Sequence, residues 1–161
     1  IDEMAKGQAE HLMPMLEDML KAENLSWRDL DGIGVGVGPG NFTGIRISVS
    51  AARGLALGLG KPAIGVNGFD ARADGQTLPY LATIPAPRDQ SYIQEFRADG
   101  ASDPIQASQP AQAQMPAADL IAAVARIAAS RLNDPLERPA PLYLRSADAA
   151  PARDPAPALL P

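Results

Sequence analysis

Leu12, Met15, Leu16, Met19 and Leu20 recur at three- and four-residue spacing, while Glu10, Glu17, Asp18 and Lys21 occupy the opposite positions. That pattern predicts an amphipathic helix from about Gln8 to Asn24. Pro14 interrupts it, so the regular helix either begins near Met13 or is kinked there. Ser26 followed by Asp29 makes a capping box for a short helical turn ending at Leu30. Ile33, Val35 and Val37 then alternate with glycines, which suits a strand approached closely by backbone on its other face. The turn-rich run Gly38-Pro39-Gly40-Asn41-Phe42-Thr43-Gly44 leads into a helical pattern from Ile45 to Leu59, with Gly60 as its stop before Lys61-Pro62. Ala63 to Val66 reads as the next strand. Strand, loop, helix and strand in that order form a βαβ unit with a parallel pair.

Past residue 75 the pattern changes. Leu78 to Ile84 and Ser91 to Phe96 predict two antiparallel strands around Pro85-Ala86-Pro87-Arg88-Asp89. Gly100 to Met115, rich in Ala, Gln, Ser and Pro, reads as loop. Pro116 at a first helical position opens an Ala-rich helix from about Ala117 to Leu132, closed by Asn133-Asp134-Pro135. The run from Ala147 to Pro161 is Ala- and Pro-rich and is expected to be extended or disordered. Twelve of the 14 glycines lie between Gly7 and Gly68, whereas thirteen of the 16 prolines lie at Pro79 or later. This shift divides the chain into an N-terminal α/β lobe over residues 1–74 and a C-terminal lobe with a Pro-rich tail over residues 75–161.

Composition narrows the chemistry. A chain of 161 residues can bury roughly 68–70% of its unfolded surface in one core, so it needs no staples. It has no cysteine and one histidine, His11, which removes thiolate catalysis and metal sites built on several imidazoles. The formal charge is -5, and all of it resides in residues 1–31, where eight acids face three bases. With that charge and only seven aromatic residues, the chain lacks the makings of a free-standing nucleic-acid binder. It has neither an apolar run of about 18 residues nor a signal-peptide start, so the expectation is a soluble cytoplasmic protein without a membrane partner.

The glycine loop is the first candidate site. Backbone N–H groups at a helix start attract anions, which makes Gly38, Gly40, Thr43 and Gly44 a possible phosphate loop or, alternatively, a tight turn. Neither GxxxxGK[ST] nor GxGxxG fits the spacing, because Ile45 and Arg46 follow Gly44. His11 is a candidate general base or a surface residue of the first helix. Ser48 and Ser50 have no histidine near them in sequence. Arg46 and Arg53 share one helix face, where they could meet an anion or an acidic partner. The apolar stripe around Leu16 suits either the domain's own core or a partner surface, and Met13, Met15 and Met19 suit an adaptable contact.

Residues Gly36 to Val66, GVGPGNFTGIRISVSAARGLALGLGKPAIGV, resemble the signature of the TsaB (YeaZ) family of tRNA threonylcarbamoyladenosine biosynthesis proteins. The resemblance extends to Gly7 to Leu25, to Ala86 to Phe96 and to Arg138 to Asp154. It implies a two-lobed α/β fold of the actin-like ATPase class (ASKHA, ribonuclease H-like), here with an N-terminal lobe lacking its first strands. It also implies a non-catalytic subunit of the complex that places threonylcarbamoyl on the adenosine beside the anticodon of tRNAs reading codons that begin with A. The implied partners are the catalytic paralogue TsaD, the ATPase TsaE and, for the chain alone, a second copy. By the same resemblance tRNA is contacted only through the complex. No cofactor is expected of this chain, the ATP being used by the complex, and no metal, because Gly65 to Ala73 has no histidine where the paralogue carries a His-rich motif. The implied partner surface combines His11, Leu12, Met15, Leu16, Met19 and Leu20 with Arg46, Ser50 and Arg53. On this view Ala51, Ala52, Gly54, Ala56 and Gly58 keep the second helix slim for close approach. The alternative is a stand-alone metallopeptidase-like or ATPase enzyme of the same fold.

Overall fold

The computed structural model describes residues 7–111, 114–135 and 137–144. The tail expected to be extended, Ala147 to Pro161, lies outside them. Helix α1 spans Gln8–Ala22 and is followed by a single 3-10 turn at Trp27–Asp29. Strand β1 (Ile33–Gly36), helix α2 (Phe42–Leu59) and strand β2 (Ala63–Val66) come next. After the short helix α3 (Gly68–Ala73), strands β3 (Tyr80–Ala86), β4 (Gln90–Arg97), β5 (Gly100–Ala101) and β6 (Ile105–Ala107) lead to helix α4, Ala117–Ser130.

Helix α1 begins at Gln8 and runs through Pro14 without interruption. The hydrogen bond that Pro14 cannot donate would have gone to the carbonyl of Glu10, which is exposed, so water can take that place. The predicted capping box forms: the Ser26 amide donates to Asp29 Oδ2 at 2.8 Å, and the Ser26 hydroxyl adds a side-chain bond to the same oxygen at 2.7 Å. Helix α2 starts three residues before the predicted Ile45, because Asn41 caps it by accepting the Gly44 N–H at 2.8 Å. It stops where expected, at Gly60, whose φ of 64° gives the left-handed C-terminal turn.

The strands form two sheets. In the first, β1 and β2 are parallel, in register from Ile33 opposite Ala63 to Gly36 opposite Val66. In the second, β3 and β4 are antiparallel, from Tyr80 opposite Phe96 to Ala86 opposite Gln90. The stretch from Gly100 to Met115, expected to be loop, also contributes two short strands to this sheet. β5 pairs with the end of β4, and β6 pairs along Ser91 to Ile93. Their own residues are mostly exposed, so the pairing comes from the free edge of β4 rather than from a buried face.

Three apolar clusters join these layers. Val35 and Val37 pack on Ile45, Val49 and Ala52 of α2. On the other side of the sheet, Ile64 and Val66 meet Ala71 of α3 and Ala123 and Ala128 of α4. Phe69 of α3 reaches the second sheet, packing with Ala82, Ile84 and Tyr92. Phe69, Ile64 and Val66 are at most 2% exposed, and each contributes roughly 1.5–3 kcal/mol through burial. The parallel pair is therefore covered on one face by α2 and on the other by α4, which the chain delivers only after the second sheet is built. Gly34 permits that second contact, since a Cβ there would lie 2.8 Å from the Cβ of Ala128. Helix α4 is also tied to α3 by Arg126 to Asp74 at 2.7 Å and Arg131 to Asp70 at 3.2 Å.

Candidate functional site

At the carboxyl ends of β1 and β2 the two connecting loops meet, and the Gly68 amide donates to the Gly38 carbonyl at 2.7 Å. Gly38 has φ of 101°, and a Cβ there would sit 2.7 Å from Ile45 Cδ1 and 3.1 Å from the Leu142 carbonyl oxygen. Only glycine fits such a position. The peptide between Gly38 and Pro39 is cis, and Pro39 is buried while Gly40 and Thr43 are exposed. The Gly44 N–H that a phosphate would need is already donated to Asn41. The loop is thus held by contacts within the chain. Nearby, Arg72 donates from Nη1 to the Gly68 carbonyl at 2.9 Å, and burial pushes its guanidinium below the ordinary arginine value, partly offset by Tyr80.

A returning segment closes over this region. The Leu142 amide donates to the Val37 carbonyl at 2.7 Å. Tyr143 packs its ring 4.8 Å from that of Phe42, and its hydroxyl accepts from Arg46 Nε at 2.9 Å. The Arg46 guanidinium stacks 3.9 Å over Phe42. Arg46, expected at a partner surface, is thus engaged inside the chain, by a residue 97 positions away. The sequence signal was available in the aromatic pair Phe42 and Tyr143, but nothing in their spacing brings them together.

The other predicted interface residues lie on two helices. In α1, Leu12, Met15, Leu16 and Leu20 are half-buried, His11 is exposed, and Met19 is 58% exposed. No residue of this helix is buried. In α2 the buried positions are Ile45, Val49, Ala52 and Ala56. Ala52 and Ala56 are therefore buried and do not face outward, a correction to the slim-face reading: they follow Ile45 and Val49 at three- and four-residue steps, Ala52 packing against β1. The outward row is Ser50, Arg53, Gly54, Leu57 and Gly58, all exposed, and Leu57 is 85% exposed. A Cβ at Gly54 or Gly58 would meet nothing within 4 Å. Leu57 was not singled out from sequence, although it lies four residues after Arg53 on the same face.

No three His, Asp or Glu side chains among the described residues come together in a way that could hold a metal ion. No helix among them is long and apolar enough to cross a membrane.

Parallel strands crossed by α2, backed by α4 and joined through α3 to an antiparallel sheet define a class that comparison with known proteins identifies. A family model described as "TsaD: tRNA N6-adenosine threonylcarbamoyltransferase" matches residues 2–109, and the chain belongs to that family. Among curated relatives it is similar to the tRNA threonylcarbamoyladenosine biosynthesis protein TsaB of Escherichia coli (strain K12), 36% identical over 99 residues, covering 58% of this chain and 43% of the relative. It is also similar to the tRNA N6-adenosine threonylcarbamoyltransferase of Jannaschia sp. (strain CCS1), 42% identical over 86 residues, 50% of this chain and 24% of that one. The chain spans less than half the length of either. Among solved structures, YeaZ from Pseudomonas aeruginosa superposes with a TM-score of 0.67 at 22% identity, over 89% of this chain and 87% of that one. The likeness shows the fold, that of the YeaZ structures, a mixed α/β architecture as the sequence resemblance implied.

Proposed function

We propose that this chain acts in tRNA threonylcarbamoyladenosine biosynthesis as a non-catalytic, activating subunit that docks on the catalytic paralogue TsaD through α1 and the outward row of α2. The observation that carries this reading is helix α1: fifteen residues with a continuous apolar stripe and not one buried position. A helix of that length gains little from propensity alone and is stabilised mainly by packing its apolar face. Gly54 and Gly58 support the reading from the second helix. Each glycine costs roughly 1 kcal/mol in a helix interior, and neither meets any neighbour in this chain that would demand it. Close approach of a partner helix gives both a purpose.

The non-catalytic role is supported by composition, since the chain offers one histidine and no cysteine and the segment Gly65 to Ala73 carries neither. A second reading, a transferase subunit in its own right, is favoured by the match to the threonylcarbamoyltransferase family model and to the Jannaschia transferase. Reconstitution separates them. The paralogue mixed with this chain should modify tRNA faster than the paralogue alone, and this chain alone should not modify tRNA at all. Modification by the lone chain would establish the second reading; a paralogue indifferent to its addition would sink the first. Within the complex, ATP use and the contacts to TsaE and tRNA belong to the partners on this proposal.

A further inference from the structure

At the carboxyl end of α2, remote from the glycine loop at its start, the surface opens into a cleft of about 540 Å³ between the last turn of that helix, the beginning of β2 and the segment 137–139. Ala56 and Pro139, both buried, and the half-buried Pro62 and Ala63 give it an apolar floor. Arg53, Lys61 and Arg138 stand around it, against one carboxylate, Glu137. None of these three cations forms an ion pair or a side-chain hydrogen bond among the described residues. Capping of α2 does not account for them. The carbonyls of Ala56 and Leu57 already receive the backbone N–H groups of Lys61 and Gly60.

We infer that this cleft binds a small organic anion, a compact apolar body carrying one phosphate or carboxylate group. Its volume lies in the range of small-molecule sites, and such sites combine an apolar lining with a few charged groups that fix orientation. Two guanidinium forks and an ammonium provide donors for the anionic group, while the proline-lined floor takes the body. Three cations without an ion pair against the single carboxylate of Glu137 leave the cleft net positive on a chain of net charge -5, and a bound anion relieves their mutual repulsion. Arg53 and Leu57 also belong to the outward row of α2, so a docked partner would border the cleft; the site is nevertheless present in the chain alone, and the inference does not rest on the assembly reading. A chain that binds the anion yet ignores TsaD would refute that reading and leave this one standing.

The test is titration of the isotopically labelled chain, followed at the Lys61 and Ala63 amides by NMR. The probes are 1-naphthyl phosphate and 1-naphthoate, with 1-naphthol and inorganic phosphate as the two halves of the ligand. At least one naphthyl anion should bind saturably and at least tenfold more tightly than either half; which of the two binds better distinguishes a phosphate from a carboxylate ligand. The double variant Arg53→Gln/Arg138→Gln should weaken binding tenfold or more with an unchanged melting temperature, whereas Arg28→Gln, outside the cleft, should not. Equal binding of 1-naphthol or of inorganic phosphate, an unaffected double variant, or no saturable shift at these amides with any probe would each overturn the inference.

Discussion

Helices α1 and α4 are near equals in sequence, fifteen and fourteen residues with one apolar and one polar face, yet they end in opposite situations. Helix α4 buries Ala123 and Ala128 against the parallel sheet and is fastened by two arginines to acids of α3. Helix α1 has no fully buried residue, its leucines being at most half-buried. The difference lies in the size of the side chains and in what faces them. Alanines on α4 meet a strand face opened by Gly34, so backbones approach closely; the leucines and methionines of α1 project further and have no such face in this chain. Amphipathic periodicity shows that a helix has a face to cover, and only the opposing surface shows what covers it.

The sharpest way to break this comparison is to place the same charge on both helices. Ala123→Arg puts an unpaired guanidinium where only 1% of the residue is exposed. It should destabilise the fold by upwards of about 4 kcal/mol, enough to unfold much of a domain whose total is about 5–15 kcal/mol. Leu16→Arg should leave the melting temperature nearly unchanged, because that position is not buried. On the proposed assembly it should nevertheless weaken association with the catalytic paralogue at least ~30-fold, the scale of an interface hot spot of about 2 kcal/mol. Thermal denaturation and sedimentation read the two effects separately. If Leu16→Arg unfolds the chain, its stripe is ordinary core and the contrast between the helices disappears.

A smaller effect is expected from paired glycines. Gly34→Ala forces a methyl group to 2.8 Å from Ala128 and should cost about 1–3 kcal/mol through overpacking. Gly54→Ala meets open space and should stabilise the lone chain by roughly 1 kcal/mol, while weakening its complex. Chemical denaturation of the two variants side by side shows whether the two glycines serve different surfaces; equal signs would say they do not.

Removing the fastening of α4 should matter less. The Arg126 side chain is 62% exposed, so Arg126→Gln should cost no more than ~1 kcal/mol, less in high salt. The smallest expected effect concerns the turn that follows α1. Hydrogen bonds from the Ser26 side chain and then its backbone hold the Asp29 carboxyl below the ordinary aspartate value. A depressed carboxyl contributes its stability above the unfolded value and loses it as pH falls through the folded one. Carboxyl titration by NMR should find Asp29 titrating below free aspartate, and Ser26→Ala, which removes the hydroxyl but keeps the backbone N–H, should raise it part of the way back.

Much of this arrangement could be read from residue order. Helix α1, the unit β1-α2-β2, the pair β3 and β4 and helix α4 each carry their own period and their own stop, such as Gly60 or Asn133-Asp134-Pro135. What could not be read is structure that depends on a distant partner. Gly68 to Ala73 holds too few residues to show a helical period, and α3 owes its start to Asn67, whose side chain accepts from Phe69 and Asp70 at 2.9 and 2.8 Å. Strands β5 and β6 exist because β4 offers an edge. The outward row was partly legible, since Arg53, Gly54 and Gly58 drew notice, but the inward turn of Ala52 depends on where β1 lies. The clamp of Arg46 by Tyr143 and the cleft between α2 and Arg138 likewise join segments that no local pattern links.

Order of synthesis gives the covering of the parallel sheet a further meaning. Strand β2 ends at Val66 and helix α4 begins at Ala117. A ribosome adding 5–20 residues per second delivers Ala128, about 60 residues after Val66, roughly 3–12 s later. During that interval Ile64, Val66 and the open side of Gly34 lack the cover of α4 and have only Ala71 of α3 beside them, and Leu142 and Tyr143 arrive later still to latch the start of α2. The nascent protein is therefore most exposed to chaperones and to mispairing after its βαβ unit has formed, and substitutions that weaken α4 should reduce yield in the cell more than they lower the melting temperature of the finished chain.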